Sequence, residues 1–252
     1  MNKYASTSIK SKWRKTKWML RDSRLRPYIP ETLQFSKGSL QSMLKRHTVL
    51  YFKPTGGSGG NRIIRIVKTS SGAYKLKGSR NATVSSVDAL YHQLKSYSKS
   101  RGYLLQKGIN LENTNGRPFD IRVMVQKPDS GKWRTTALFT KIGRQGKVVN
   151  NYNQGGKVAF LPETLRGAGY SAGKIDYTTK KLSRLGENAG YCFDRHLKGF
   201  RELGLDVAID KSGRYWILET NTRPQFYPLR NKMNKSAYLR ILKYAKQYGR
   251  YK

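Results

Sequence analysis

The sequence predicts an α+β protein built on largely antiparallel sheet, and three observations carry that prediction. Over Asp120–Gln126 the residues alternate, with Ile121, Val123 and Val125 on one side and Asp120, Arg122 and Met124 on the other. Strand-like runs are joined by tight turns, as at Pro128-Asp129-Ser130-Gly131 and Asp210-Lys211-Ser212-Gly213. Elsewhere the spacing is helical, as in Leu182, Leu185, Ala189, Phe193, Leu197 and Phe200. A doubly wound parallel sheet would need a helical crossover between consecutive strands instead.

The elements follow in order. Residues 1–30 are basic, with apolar spots at Trp13, Trp18, Met19 and Leu20 and a proline-punctuated stretch at Arg26–Pro30. Ser39–Arg46 reads as a short helix. Thr48–Phe52 and Ile63–Val67 read as strands on either side of a glycine-rich loop. Val84, Val87, Leu90, Tyr91 and Leu94 share a helical face, with Ser85 and Asp88 as its capping signal. Tyr103–Ile109 is a further strand, and Asp120–Gln126 pairs with Trp133–Ile142 as a hairpin. Residues 147–178 show no firm periodicity. Gly204 stands where the helix carrying Leu182–Phe200 should stop. Leu205–Ile209 and Tyr215–Leu218 form a second hairpin, and Asn234–Tyr248 reads as a basic amphipathic helix.

Charge narrows the partners. Lys and Arg number 51 against 14 Asp and Glu in 252 residues, a formal charge of +37. Such a field attracts polyanions: nucleic acid, nucleotides, acidic peptides or anionic membranes. The basic residues are spread along the chain, which also fits a merely solvated surface. With 37% hydrophobic residues the chain can build a core, so wholesale disorder is excluded. A single cysteine excludes a disulfide framework and a cysteine-based zinc site. No apolar run approaches the roughly 20 residues needed to span a bilayer, and the N-terminus lacks a secretory apolar segment. A soluble, cytoplasmic protein without a transmembrane segment is expected.

Two motifs carry chemistry. Lys53-Pro54-Thr55-Gly56-Gly57-Ser58-Gly59-Gly60-Asn61-Arg62 has the makings of a phosphate cradle: glycines let backbone N–H groups approach phosphate oxygens, and Lys53 offsets their charge. It lacks the Gly-Lys-Ser/Thr end of a Walker A loop, and the strand after it excludes a dinucleotide-binding fingerprint. A plain hairpin tip is the structural alternative. The second motif is acidic. Glu219 and Asn221, two apart on a strand, project together, and folding about Lys211–Gly213 brings Asp206 opposite Glu219. Three oxygen ligands on one sheet face suit a hard cation such as Mg²⁺; without His or Cys they do not suit zinc. An ordinary hairpin with solvent-facing acids is the alternative. His47, His92 and His196 are isolated and read as surface or packing residues, and Cys192 as a core thiol.

In their order and spacing, Tyr51-Phe52-Lys53-Pro54 with the glycine loop, Ile63–Ile66, Gln106–Ile109, Gly116–Val123 and Glu202–Pro224 resemble the ATP-grasp superfamily. The likeness is nearer to its YheC/YheD, endospore coat-associated branch, and runs from about Ser11 to about Pro224. It implies an ATP-grasp fold in which two α+β lobes clamp ATP: a basic segment over 1–30, a small lobe with the glycine loop over 31–105, a large lobe with the metal site over 106–228, and a basic helix over 229–252. It implies that Lys53 contacts the α- and β-phosphates, that Gly56, Gly57, Ser58 and Gly59 form a flap, and that Lys17, beside Lys12 and Lys15, is the second ATP-contacting lysine. Gln106, Lys107 and Ile109 match the hinge that reads adenine. Asp206, Glu219 and Asn221 match the Mg²⁺ ligands. Arg122 and Arg144 match the arginines near the γ-phosphate and acyl phosphate, with Asn221 completing the catalytic set.

The implied activity is a carboxylate–amine ligase. A carboxylate takes the γ-phosphate of ATP, and an amine then displaces phosphate to leave an amide. Asn61-Arg62 replace a glycine the family tends to keep, and Gln106 stands where many relatives carry an acid. The domain that commonly precedes the lobes is reduced to about 30 residues, so a partner supplying that substrate domain is expected. An acidic peptide or a tRNA would suit the basic surface as acceptor. Two other functions compete: a nucleotide-binding structural protein of the spore coat, and a nucleic-acid-binding module. The second lacks any recognised module signature, and Trp133, Tyr191 and Trp216 fall in patterns expected of packing.

Overall fold

Helix α1 (Lys12–Arg21) begins where the Ser11 side chain accepts a hydrogen bond from the Arg14 N–H. In the computed structural model, which describes residues 4–57, 59–143, 157–226, 229 and 235–250, this helix is the first element. The sequence shows its apolar spots but not its period, because only Met19 among them is fully buried.

The first sheet contains β1 (Thr32–Gln34), β2 (Val49–Pro54), β3 (Ile64–Lys68), β4 (Tyr74–Gly78), β5 (Ala82–Val84) and β6 (Tyr103–Lys107). Its order is β1-β6-β2-β3-β4-β5, with every pair antiparallel. One face carries Leu50, Phe52, Ile64, Ile66, Tyr74 and Leu76, which pack under α2 (Lys37–Arg46) and α3 (Val87–Ser98). Ser86, not Ser85, caps α3, accepting from the Ala89 N–H. The other face of this sheet turns toward the second half of the chain.

That half is built on β8 (Arg117–Gln126), β9 (Arg134–Ile142), β10 (Lys157–Phe160), β11 (Glu202–Ile209) and β12 (Tyr215–Asn221), in the antiparallel order β10-β9-β8-β11-β12, with β7 (Asn113–Thr114) beside β8. The expected hairpins β8–β9 and β11–β12 form with the expected turns. One face packs against α1, α4 (Leu161–Gly167) and the long α5 (Ala172–His196) through Phe119, Ile121, Val123, Leu182, Leu185, Phe193 and their neighbours. The other carries Met124, Ala137 and Phe139 under α6 (Lys235–Gln247).

The stretch expected to lack periodicity therefore contains β10, α4 and the first turns of α5 among its described residues. Those turns face solvent: Tyr177 is 61% exposed, so no apolar stripe marks them. Gly204 does not stop the helix. The helix ends before Leu197, and Gly204 lies within β11 opposite Asn221 and Met124. A Cβ there would meet Pro224 Cβ at 2.5 Å, so close packing of two strands against a following turn requires glycine. Trp133 and Trp216 are buried, but Tyr191 is 41% exposed and does not pack as expected. Cys192 is buried in the core, and burial raises its thiol to about 12.

Candidate active site between the lobes

A helix turns about 100° per residue, so Lys12, Lys15 and Met19 share one face of α1. That face meets the open side of the first sheet and the strand β12. Lys12, Lys15, Thr16 and Met19 thus line a cleft, open to solvent, with Thr32, Lys53, Leu104, Gln106, Leu218, Glu219 and Thr220.

The cleft is strongly cationic. Lys12 and Lys15 are buried, and Lys53 enters from β2. Glu219 is the sole carboxylate in the lining, with Lys12 Nζ 3.2 Å from its Oε1. Burial lowers Lys15 to about 8; Glu219 opposes that shift and the Lys12 charge adds to it. Burial likewise lowers Lys53 to about 8, again with Glu219 opposing and Lys12 adding. An anion entering here would relieve mutual repulsion among three ammonium groups.

Lys53 Nζ donates to Gln106 Oε1, and Gln106 Nε2 donates to Thr32 Oγ1 (3.1 Å) and to the Leu218 carbonyl (3.4 Å). That carbonyl is reachable because of a β-bulge. Asp206 pairs with Glu219 while Val207 pairs with Ile217, which leaves Leu218 as the extra residue on β12. The bulge turns Leu218 and Glu219 into the cleft and joins the two sheets through one glutamine.

Asp206 faces Glu219 as expected, but its carboxylate is engaged. Arg122 Nε lies 2.7 Å and Lys141 Nζ 3.0 Å from its Oδ1, while Lys141 also lies 2.7 Å from Asp120. Burial would raise Asp206, but Arg122 and Lys141 outweigh it and hold its carboxyl well below the usual range. Asp120 is raised, by burial and by the Asp206 charge, despite Lys141. Among the described residues no three His, Cys, Asp or Glu side chains are grouped to hold a metal. The donor chemistry of Asp206, Glu219 and Asn221 nonetheless fits a hard cation: two carboxylates meet at a register pair, with an amide two residues further on.

The remaining expected residues are distributed unevenly. Gly56, Gly57 and Gly59 lie in the turn after β2, with φ of 93° at Gly57 and 75° at Gly59, a left-handed backbone that glycine tolerates best. The Gly57 carbonyl accepts from Lys12 Nζ, and the Lys12 N–H donates to the Thr55 carbonyl. Lys107 ends β6 with its ammonium 5.1 Å from the Trp216 ring centre, and Ile109, half-buried, lies in the connection beyond. Ser58 and Arg144 lie outside the described residues. Lys17 is exposed and set 5.9 Å from the Trp13 ring centre, because two residues of helix rotate it away from the face carrying Lys15. Lys12 and Lys15 line the cleft in its place. Their signal was the spacing to Met19. Asp120 and Lys141 were also missed; the alternation in β8 put Asp120 on the polar side but nothing in the sequence paired it with Lys141.

Two antiparallel α+β lobes with a basic cleft between them define the ATP-grasp class of fold. Several solved ATP-grasp enzymes share it at low sequence identity. The ATP-grasp ligase PsnB, complexed with a minimal precursor, matches with a TM-score of 0.55 and 12% identity over 92% of this chain and 59% of its own. D-alanyl-alanine synthetase A from Vibrio cholerae matches at 0.52 and 13%, over 92% and 59%. The chain belongs to the YheC/D-like ATP-grasp family, whose model matches residues 2–251. The endospore coat-associated protein YheD of Bacillus subtilis is 28% identical over 221 residues, 85% of this chain and 48% of that protein. Its YheC counterpart is 27% identical over 234 residues, 89% and 64%. The chain spans about half to two-thirds of the length of these curated relatives. No helix among the described residues is long and apolar enough to cross a membrane.

Proposed function

We propose that the chain is an ATP- and Mg²⁺-dependent carboxylate–amine ligase that works through an acyl phosphate on a polyanionic acceptor and serves the spore coat. One observation carries the reading: Lys12, Lys15 and Lys53 converge on a cleft whose lining holds a single carboxylate. Three desolvated ammonium groups suit a triphosphate far better than a neutral ligand. Lys12, Lys15 and Lys53 bind and offset its charge, and the glycine turn closes over it to exclude water. The base is assigned by the resemblance to Gln106, Lys107 and Ile109, a stretch in which the Lys107 and Gly108 N–H groups donate to the Glu31 and Val49 carbonyls. Asp206, Glu219 and Asn221 are the residues that would hold Mg²⁺, which when bound supplies charge neutralisation for phosphoryl transfer. Arg122 fixes Asp206, and the resemblance assigns Arg122 and Arg144 to the transferred group.

The test is incubation with ATP, Mg²⁺ and pooled amino acids, acidic peptides and tRNA, followed by assay of ADP and of a condensed product lighter by water than its parts. Nucleotide binding without ADP from any pool overturns the ligase reading. It favours the other one, a structural coat protein that retains the nucleotide site, for which the engagement of Asp206 by Arg122 and Lys141 is the supporting observation.

A further inference from the structure

The open face of the first sheet is basic well beyond the cleft. In the ladder, Tyr51 on β2 stands opposite Arg65 on β3, which stands opposite Lys77 on β4; one row away, Val67 stands opposite Lys75. These residues share the face that Lys53 occupies, since the alternate residues Phe52, Ile64, Ile66, Tyr74 and Leu76 are buried under α2 and α3. Lys75 and Lys77 are exposed and Arg65 is half-buried. With strands about 4.8 Å apart and alternate residues about 7 Å apart, the diagonal from Lys53 to Lys75 runs roughly 17 Å.

At its cleft end this track meets Glu219, which lies in the lining with Lys53. Between residues 31 and 105 the acids are Glu31 and Asp88. Glu31 pairs with Arg46 and His47, and Asp88 with Lys37, all at α2 or its ends. Neither lies on the strands of the open face.

We infer that this face docks an extended acidic polypeptide, and that the Lys53–Arg65–Lys77–Lys75 diagonal leads it to the cleft. A length of roughly 17 Å matches about five extended residues. Charge complementarity favours a polyanion, and the scarcity of rings favours polypeptide over single-stranded nucleic acid, which is gripped by stacking on aromatic side chains. Tyr51 is the aromatic residue in this set of rows, and its hydroxyl is taken up by Arg65. The inference deepens the ligase reading by naming where its acceptor is held, and it rests on that reading only for what happens to the bound acid.

The experiment measures binding of fluorescent poly-L-glutamate without nucleotide, at ionic strength near 0.05 M, where surface charges are weakly screened. Lys75→Glu with Lys77→Glu should weaken binding roughly tenfold or more, while Lys243→Glu with Lys246→Glu, an equal charge change on the exposed side of α6, should change it less than about twofold. ATP affinity should be unaltered in both. Equal losses in the two double variants, or no loss in the first, would overturn the docking face. Tighter binding of an oligo-dT of equal charge, with the same Lys75/Lys77 dependence, would overturn the choice of polypeptide. ADP formation is assayed separately, so a protein that binds poly-L-glutamate on this face yet never hydrolyses ATP retires the ligase reading alone.

Discussion

Lys12 Nζ lies 3.2 Å from the Glu219 carboxylate and also donates to the Gly57 carbonyl, so one ammonium joins the acidic hairpin to the glycine turn. The backbone N–H of the same residue donates to the Thr55 carbonyl. Helix α1 belongs to the core of the second lobe by its Met19 face, and through Lys12 it also sets the position of a loop of the first. Lys12→Met should therefore loosen that loop without unfolding the helix. Hydrogen exchange over residues 55–61 is expected to speed up by about tenfold; unchanged protection would show that the loop is held by something else.

Lys53→Ala removes a cation from the cleft and leaves Gln106 its bonds to Thr32 and Leu218. Nucleotide affinity is expected to fall by about 1–3 kcal/mol, roughly 5- to 150-fold. Lys17→Ala, at an exposed site, should leave it unchanged. Titration calorimetry decides between them, and equal effects would refute the placement of the cleft.

Glu219→Gln keeps shape and removes charge, and is expected to cut ADP formation by at least about 100-fold with little loss of stability. Asp206→Ala is a poorer probe. It would strip buried Arg122 and Lys141 of a counter-ion, at a cost of about 3–5 kcal/mol. A thermal melt of both variants beside the activity assay separates catalytic from structural loss.

Lys15 and Lys53, lowered to about 8 from 10.5 by burial, make opposite pH trends for binding and stability. Between about pH 8 and 10.5 the unfolded chain binds more protons at these two sites than the folded chain, so their contribution to stability rises with pH. Anion affinity moves the other way and falls above about pH 8 as the ammonium groups deprotonate. Calorimetry of ATP binding from pH 7 to 9, compared with Lys15→Met, checks the affinity trend; an affinity flat across that range would contradict the desolvation of these lysines.

Gly190 of α5 lies against the Trp133 ring, and a Cβ there would come within 2.3 Å of it. The ring is 2% exposed and has no room to retreat. Gly190→Ala is expected to cost about 1–3 kcal/mol and to lower the melting temperature by roughly 2–12 °C. A melt at or above the parent value would mean that α5 can slide on the sheet.

Both hairpins of the second lobe were legible because alternation and turn chemistry act over a few residues. The pairing of Asp206 with Glu219 followed from the same local rule. The bulge at Leu218 did not, since an extra residue in one strand leaves no mark in a run that is apolar throughout. Nor did the start of α5, where the exposed first turns carry no apolar stripe, or the role of Gly204, whose constraint comes from Pro224 across a later turn.

The residues by themselves determined an antiparallel α+β protein with a glycine turn, an acidic hairpin and a large positive charge, because period, turn preference and charge are properties of short segments. Only the tertiary structure decided which lysines of α1 reach the cleft and which cations hold Asp206. Those choices depend on the rotation of a helix and the meeting of strands far apart in the chain, and burial makes each such meeting strong enough to matter.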